Sequence, residues 1–317
     1  MKGPPVPPFG EAAAGRVARV PGSRLRRLFG FVCEAHPPPI YAVVCAGWAY
    51  SLLSMLLPPR AGAALGIEGA AVALAFFLIL LFLRAVDEVK DLDYDRRHNP
   101  MRPLVRGAVS LGEVWGLAAA VAVVVLALSA WLSPRLAVFA ALQMAYGIGL
   151  LLLERHSATF RRRILLNLCV TLPVSAALNV YAYLFLASRG LAPPLQQAVP
   201  VLLAHVAVFL HLEFGRKLKW PHLAAAGENG YALALGVPGA SAACMLFGGA
   251  ACALATWAHL SAGAGAASPL PWFALLPAAV GLQGFIVSRQ EAVSLKPYFG
   301  GAMVLFFLIN IAVARLV

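Results

Sequence analysis

Residues 70–95 read AAVALAFFLILLFLRAVDEVKDLDYD: an apolar run to Leu83, then Arg84, then Asp87, Glu88, Asp91, Asp93 and Asp95 within nine positions. The apolar part has the character of a helix crossing the hydrocarbon core of a bilayer, which takes about 20 mostly apolar residues. The acids that follow are five of only 13 Asp and Glu residues in the chain. Solubility does not explain such a concentration at the end of a membrane span.

The rest of the chain extends this reading. It is 61% hydrophobic and 12% charged, with a mean hydropathy of +0.81, whereas a soluble domain is roughly 45–50% apolar and about 25% charged. Charges and turn residues divide it into nine apolar segments: Ile40 to Leu57, Ala70 to Val86, Val114 to Leu132, Leu136 to Leu153, Ile164 to Ala187, Ala198 to Leu212, Val237 to Leu260, Trp272 to Val287 and Tyr298 to Ala314. The expected fold is all-α, a polytopic membrane protein of nine transmembrane helices around a central cavity, forming one domain over residues 23–317. Ser133-Pro134-Arg135 is so short a connection that the third and fourth spans must be antiparallel neighbours.

Residues 1–22 are rich in Pro, Gly and Ala, lack the apolar core of a secretory signal, and are expected to be a disordered tail. Ser23 to Phe31 suits either a short interfacial helix, with Arg24, Arg26 and Arg27 on anionic headgroups, or a solvated linker. All but four of the 25 Lys and Arg residues (Arg60, Arg135, Arg189 and Arg315) fall on one side of the nine spans. That side is expected to be cytoplasmic, with the N-terminus and the acidic loop inside and the C-terminus outside. The five cysteines show no paired spacing and read as small packed hydrophobes. Nothing in the chain points to nucleic acid, and no protein partner can be inferred.

If the helix continues beyond Val86, then Asp87, Asp91 and Asp95 share one face, where each like-charge pair costs about 0.2–0.5 kcal/mol even when exposed. Beside hydrocarbon the cost is larger and calls for a cation. Lys90, Arg96 and Arg97 can supply part of it, as at an ordinary salt-bridged helix end. However, Arg102-Pro103-Leu104-Val105-Arg106-Gly107 follows at once, bringing guanidinium groups to the same loop. Mg²⁺ is held by one or two carboxylates plus phosphate oxygens, and Arg binds phosphate through its planar fork. Together these residue types make a diphosphate clamp, with Asp87, Glu88, Asp91 and Asp95 on the metal and Lys90, Arg102 and Arg106 on the phosphates.

Asp87-Glu88-x-x-Asp91-x-x-x-Asp95 followed by Arg102-Pro103-Leu104-x-x-Gly107 resembles the first aspartate-rich motif of the UbiA superfamily of intramembrane prenyltransferases, which commonly has Asn-Asp where this chain has Asp87-Glu88. The resemblance implies a second acidic motif between spans six and seven, usually two Asp four residues apart. Here Glu213 matches the first, but Lys217 stands at the second. Arg216 and Lys217 can instead offer fixed positive charge to a diphosphate, with Glu213 as ligand, orienting partner or proton acceptor. A positive-inside loop with a local ion pair is the plainer alternative. The Tyr-x-x-x-Lys pattern usual in the family near the fourth loop is absent; Arg155, Arg161, Arg162 and Arg163 stand there. Asn167, Asn179, Tyr41, Tyr50, Tyr146, Tyr181 and Tyr183 can line a cavity, although hydrogen-bonded packing is the commoner role.

The expected activity is Mg²⁺-dependent transfer of an isoprenoid chain from a prenyl diphosphate to a lipophilic, aromatic acceptor inside the membrane. Asp87, Asp91, Asp95 and Glu213 are the candidate catalytic residues. A terpene cyclase of the same superfamily would share the ionising clamp. A transporter or lipid-binding protein fits less well, because its acids would be expected at mid-membrane in broken helices.

Overall fold

The computed structural model describes residues 23–57, 66–157, 159–160, 163–224, 230–289 and 293–316. The expected tail at 1–22 and Arg60, Arg161, Arg162 and Glu228 lie outside them. The described residues form helices α1 (Arg24–Ala35), α2 (Pro38–Leu56), α3 (Gly66–Lys90), α4 (Leu92–His98), α5 (Leu111–Leu132), α6 (Pro134–His156), α7 (Ile164–Ser188), α8 (Leu195–Arg216), α9 (Tyr231–Ser261), α10 (Leu276–Val287) and α11 (Lys296–Ala314). Nine segments among them are long and apolar enough to cross a membrane: α2, α3, α5 to α9, the stretch Gly265–Val287, and α11. The all-α polytopic architecture expected from the sequence is the observed one.

Two spans depart from plain α-helix. In α9 the backbone leaves the helix at Gly236 (φ 70°, ψ 161°), with Pro238 just beyond, so the uninterrupted part begins where the apolar run suggested, at Val237. The eighth span opens with 3₁₀ turns at Gly265–Ala267 and Leu270–Leu275 before α10 takes over. Pro269, Pro271 and Pro277 each lack the amide hydrogen that an α-helix needs there.

The segment after Ser23 is the helix rather than the linker. The Ser23 hydroxyl caps α1 by accepting from the Arg26 amide. Arg27 of α1 pairs with Glu113 in the first turn of α5, where Ser110 and Glu113 form a reciprocal capping box. Leu25 and Phe29 remain exposed, while Phe31 is buried. The helix therefore leans on the bundle and keeps an apolar edge outward.

In lipid, helices gain little from hydrophobic burial against one another, so close packing and interhelical hydrogen bonds hold them. Trp48 donates to Asn179 Oδ1 (2.7 Å), and Asn179 donates onward to the Leu202 carbonyl (3.2 Å), joining α2, α7 and α8. Ser51 meets His205 at 2.9 Å, Ser129 meets Tyr181 at 2.9 Å, and His259 meets Asn310 at 2.7 Å. Tyr146 and Tyr183 donate to the carbonyls of Val170 and Pro193. Asn179, Tyr146, Tyr181 and Tyr183 thus take the packing role. Around Trp48 lie the rings of Phe76, Phe209 and Phe307, with centroids 5.9, 6.2 and 6.1 Å away, giving the bundle an aromatic interior.

Gly215, near the end of α8, lets the fully buried Phe299 of α11 come against the backbone; a Cβ there would lie 2.2 Å from the ring. Gly215→Val is expected to cost about 1–3 kcal/mol through overpacking. The change would appear as a lower unfolding midpoint in detergent than that of Gly300→Val, a position with open space.

Candidate active site

α3 continues past the apolar run to Lys90, and Asp91 (φ −86°, ψ 1°) separates it from α4. The interruption barely disturbs the register: the amides of Asp91, Asp95 and Asn99 each donate to the carbonyl four residues back at 2.8 Å. Asp87, Asp91 and Asp95 therefore follow one helical repeat, as their spacing suggested. Their surroundings differ. The Asp87 and Asp91 side chains are 45% and 41% exposed, whereas those of Asp95 and Glu88 are 6% and 1% exposed.

Glu88 is held by Arg84, one helical turn before it, and by Arg102 Nη1 at 3.0 Å. Asp95 accepts from Asn99 at 2.6 Å and has Arg102 Nε at 3.7 Å. Arg102 is thus fixed between two buried carboxylates. Glu88, expected among the metal ligands, is paired with two guanidinium groups. Asp93 points to solvent and pairs with Arg96. Gly107 (φ 74°) adopts a left-handed conformation that side chains disfavour, and this turn brings Arg106 back to the Met101 carbonyl (3.0 Å) and to Glu34 of α1 (2.6 Å). A groove of about 390 Å³ opens beside Arg102, lined by Glu34, His98, Asn99, Pro100, Met101 and Pro103.

The ammonium of Lys90 lies 3.0 Å from Asp87, 3.9 Å from Asp91 and 3.2 Å from Glu154, near the end of α6. Burial pushes the Asp91 carboxyl up to about 6; Asp87, Glu154 and Asp95 add to this and Lys90 opposes it. The group still ionises at neutral pH.

In the second half, Glu213 is buried at the end of α8 and its charge is fully engaged. Arg216 Nε and Nη2 approach it at 2.6 and 2.5 Å, Lys217 at 2.5 Å, and the Tyr231 hydroxyl donates from 3.3 Å. Tyr231 stacks on Phe214 (4.1 Å), and Lys217 lies over the Tyr231 ring. Among the described residues no hydrogen bond or ion pair joins this cluster to the first. Nor do any three His, Cys, Asp or Glu residues there form a ready-made metal cage.

The sequence reading missed Glu34, Arg84, Glu154 and Tyr231. Arg84 had a signal: a cation inside an apolar span needs a partner, and Glu88 stands four residues on. Glu154 is an acid at the end of an apolar run. Glu34 and Tyr231 carried no local signal.

No protein-family model matches the chain, and no curated protein matches it in sequence. Solved structures do match in fold. A UbiA homologue from Aeropyrum pernix K1 is 21% identical, with a TM-score of 0.59 over 87% of this chain and 94% of that one. A digeranylgeranylglyceryl phosphate synthase is 12% identical, with a TM-score of 0.62 over 92% and 99%. A UbiA homologue from Archaeoglobus fulgidus, bound to DMAPP and Mg²⁺, is 17% identical, with a TM-score of 0.56 over 90% and 99%. The chain therefore has the UbiA fold, an integral, multi-pass membrane architecture.

Removing Glu88 leaves Arg84 and Arg102 without their shared carboxylate at the bundle edge. Glu88→Ala is expected to destabilise by about 1–3 kcal/mol, whereas the exposed Asp93→Ala should stay within about 0.5 kcal/mol of the parent in the same unfolding assay.

Proposed function

We propose that the chain is a divergent UbiA-superfamily enzyme that transfers an isoprenoid chain from a prenyl diphosphate to a lipophilic, aromatic acceptor, with Mg²⁺ as cofactor and the acidic end of α3 on the cytoplasmic side. The observation that carries this reading is the junction of α3 and α4. Two accessible carboxylates one turn apart share that segment with two buried acids that immobilise Arg102.

The donor set suits Mg²⁺. Asp87 and Asp91 offer hard oxygen atoms and remain accessible, and the ion takes few protein ligands when phosphate oxygens complete its shell. These two residues would hold it, and it would supply charge neutralisation for the diphosphate as the C–O bond lengthens. Glu88 and Asp95 act differently: they orient Arg102 so that its guanidinium meets the phosphates without reorganising, which is where electrostatic catalysis gains most. Arg106 serves the same anion once Glu34 yields it.

Arg216 and Lys217, neutralised in part by Glu213, contribute fixed positive charge from the second half, in place of the second acid pair usual in the family. Glu213 then orients cations instead of binding metal. The aromatic interior around Trp48 is a water-poor region of the kind whose ring faces support an allylic cation. Such an interior suits cyclisation of the same cation as well. Geranyl, farnesyl and geranylgeranyl diphosphates supplied without acceptor separate the two outcomes: unreacted diphosphate supports transfer, and cyclic hydrocarbon supports a cyclase.

Asp91→Asn and Asp95→Asn are each expected to lower Mg²⁺-dependent consumption of a prenyl diphosphate by about 100-fold or more, with an acceptor panel and mass spectrometry as the readout. Lys217→Met should mainly raise KM for the diphosphate. Consumption unchanged in both aspartate variants would refute the clamp.

A further inference from the structure

Lys90, expected on the phosphates, is paired with carboxylates. Its ammonium is surrounded by three carboxylates, Asp87 at 3.0 Å and Asp91 at 3.9 Å on its own segment and Glu154 at 3.2 Å from α6. The lysine side chain is 17% exposed, far less than the two aspartates it bridges. One ammonium is shared by two aspartates and also reaches a third acid, so the aspartates it bridges are already occupied. A divalent ion arriving at Asp87 and Asp91 meets a like charge already paired with the same two carboxylates. The ammonium must withdraw, and Glu154 is an acceptor already within contact of it.

We infer that Lys90 is the resident counter-cation of the Asp87–Asp91 pair and that Glu154 is the positioning residue to which its ammonium shifts when a divalent cation binds. This rests on the proposed metal site and adds a role for two residues outside it. The exchange is an ion swap in which no covalent bond changes. It keeps three clustered acids tolerable beside hydrocarbon before the cation arrives. It also ties cation affinity to the α3–α6 contact.

Mn²⁺ binding to the purified full chain, followed by electron paramagnetic resonance with no diphosphate present, tests the exchange. Lys90→Met should tighten Mn²⁺ binding by at least about fivefold, and Glu154→Gln should weaken it by a similar factor. In the double variant the Glu154→Gln penalty should shrink markedly, because Glu154 acts chiefly through Lys90 and keeps only its through-space attraction for the cation. An unchanged or weaker affinity in Lys90→Met overturns the inference. So does a Glu154→Gln penalty of undiminished size in the Lys90→Met background, which would mean that Glu154 acts on the cation without Lys90. If the parent binds Mn²⁺ and Asp91→Asn does not, the metal site stands whatever Lys90→Met shows. If no protein binds Mn²⁺, site and inference fall together.

Discussion

Compensation of negative charge at the edge of the bilayer is the constraint on which the acidic end of this bundle depends. A carboxylate beside hydrocarbon is costly unless paired, and the cost of an unpaired buried charge exceeds that of most packing defects. Each acid of the first cluster meets that requirement in its own way. Glu88 and Asp95 are buried and share Arg102. Asp87 and Asp91 are accessible and share Lys90, and Asp93 relies on water and Arg96. The division separates buried acids that hold an arginine from accessible acids that share a lysine.

The same principle runs differently in the second half. Glu213 is saturated by Arg216, Lys217 and Tyr231, so this loop presents cations around a neutralised acid, while the first presents acids around an immobilised cation. On the proposed reading, an anion lying between two such loops would meet a metal ion and the held Arg102 at one and the cations around Glu213 at the other. On that reading Lys217, standing where the resemblance implies a second acid, changes how charge is delivered.

Much of the fold was legible in the sequence because the bilayer imposes length and polarity on every span. The apolar runs and the tight Ser133-Pro134-Arg135 turn required no tertiary knowledge. What escaped was local backbone chemistry: the 3₁₀ opening of the eighth span, where three prolines interrupt α geometry, and the early start of α9 before Gly236. At the site, the register of Asp87, Asp91 and Asp95 followed from spacing. Their unequal burial did not, since it depends on Arg84 and Arg102 converging on one face. Glu154 and Glu34 reach the cluster from α6 and α1, and contacts across so many residues leave no periodic trace. The tyrosines and Asn179 were legible only as a class, polar groups in spans that need partners; those partners are Trp48, Ser129 and backbone carbonyls on other segments.

The central claim is that accessible carboxylates at the α3–α4 junction and the guanidinium of Arg102 share a diphosphate with a divalent ion. Diffraction from crystals grown with Mn²⁺ and a farnesyl thiodiphosphate, recorded for manganese anomalous signal, tests it most directly. The account requires a manganese peak within coordination reach of Asp87 and Asp91, with phosphate oxygens between it and Arg102. A diphosphate bound elsewhere, or manganese absent from those two aspartates while the analogue is bound, would contradict it.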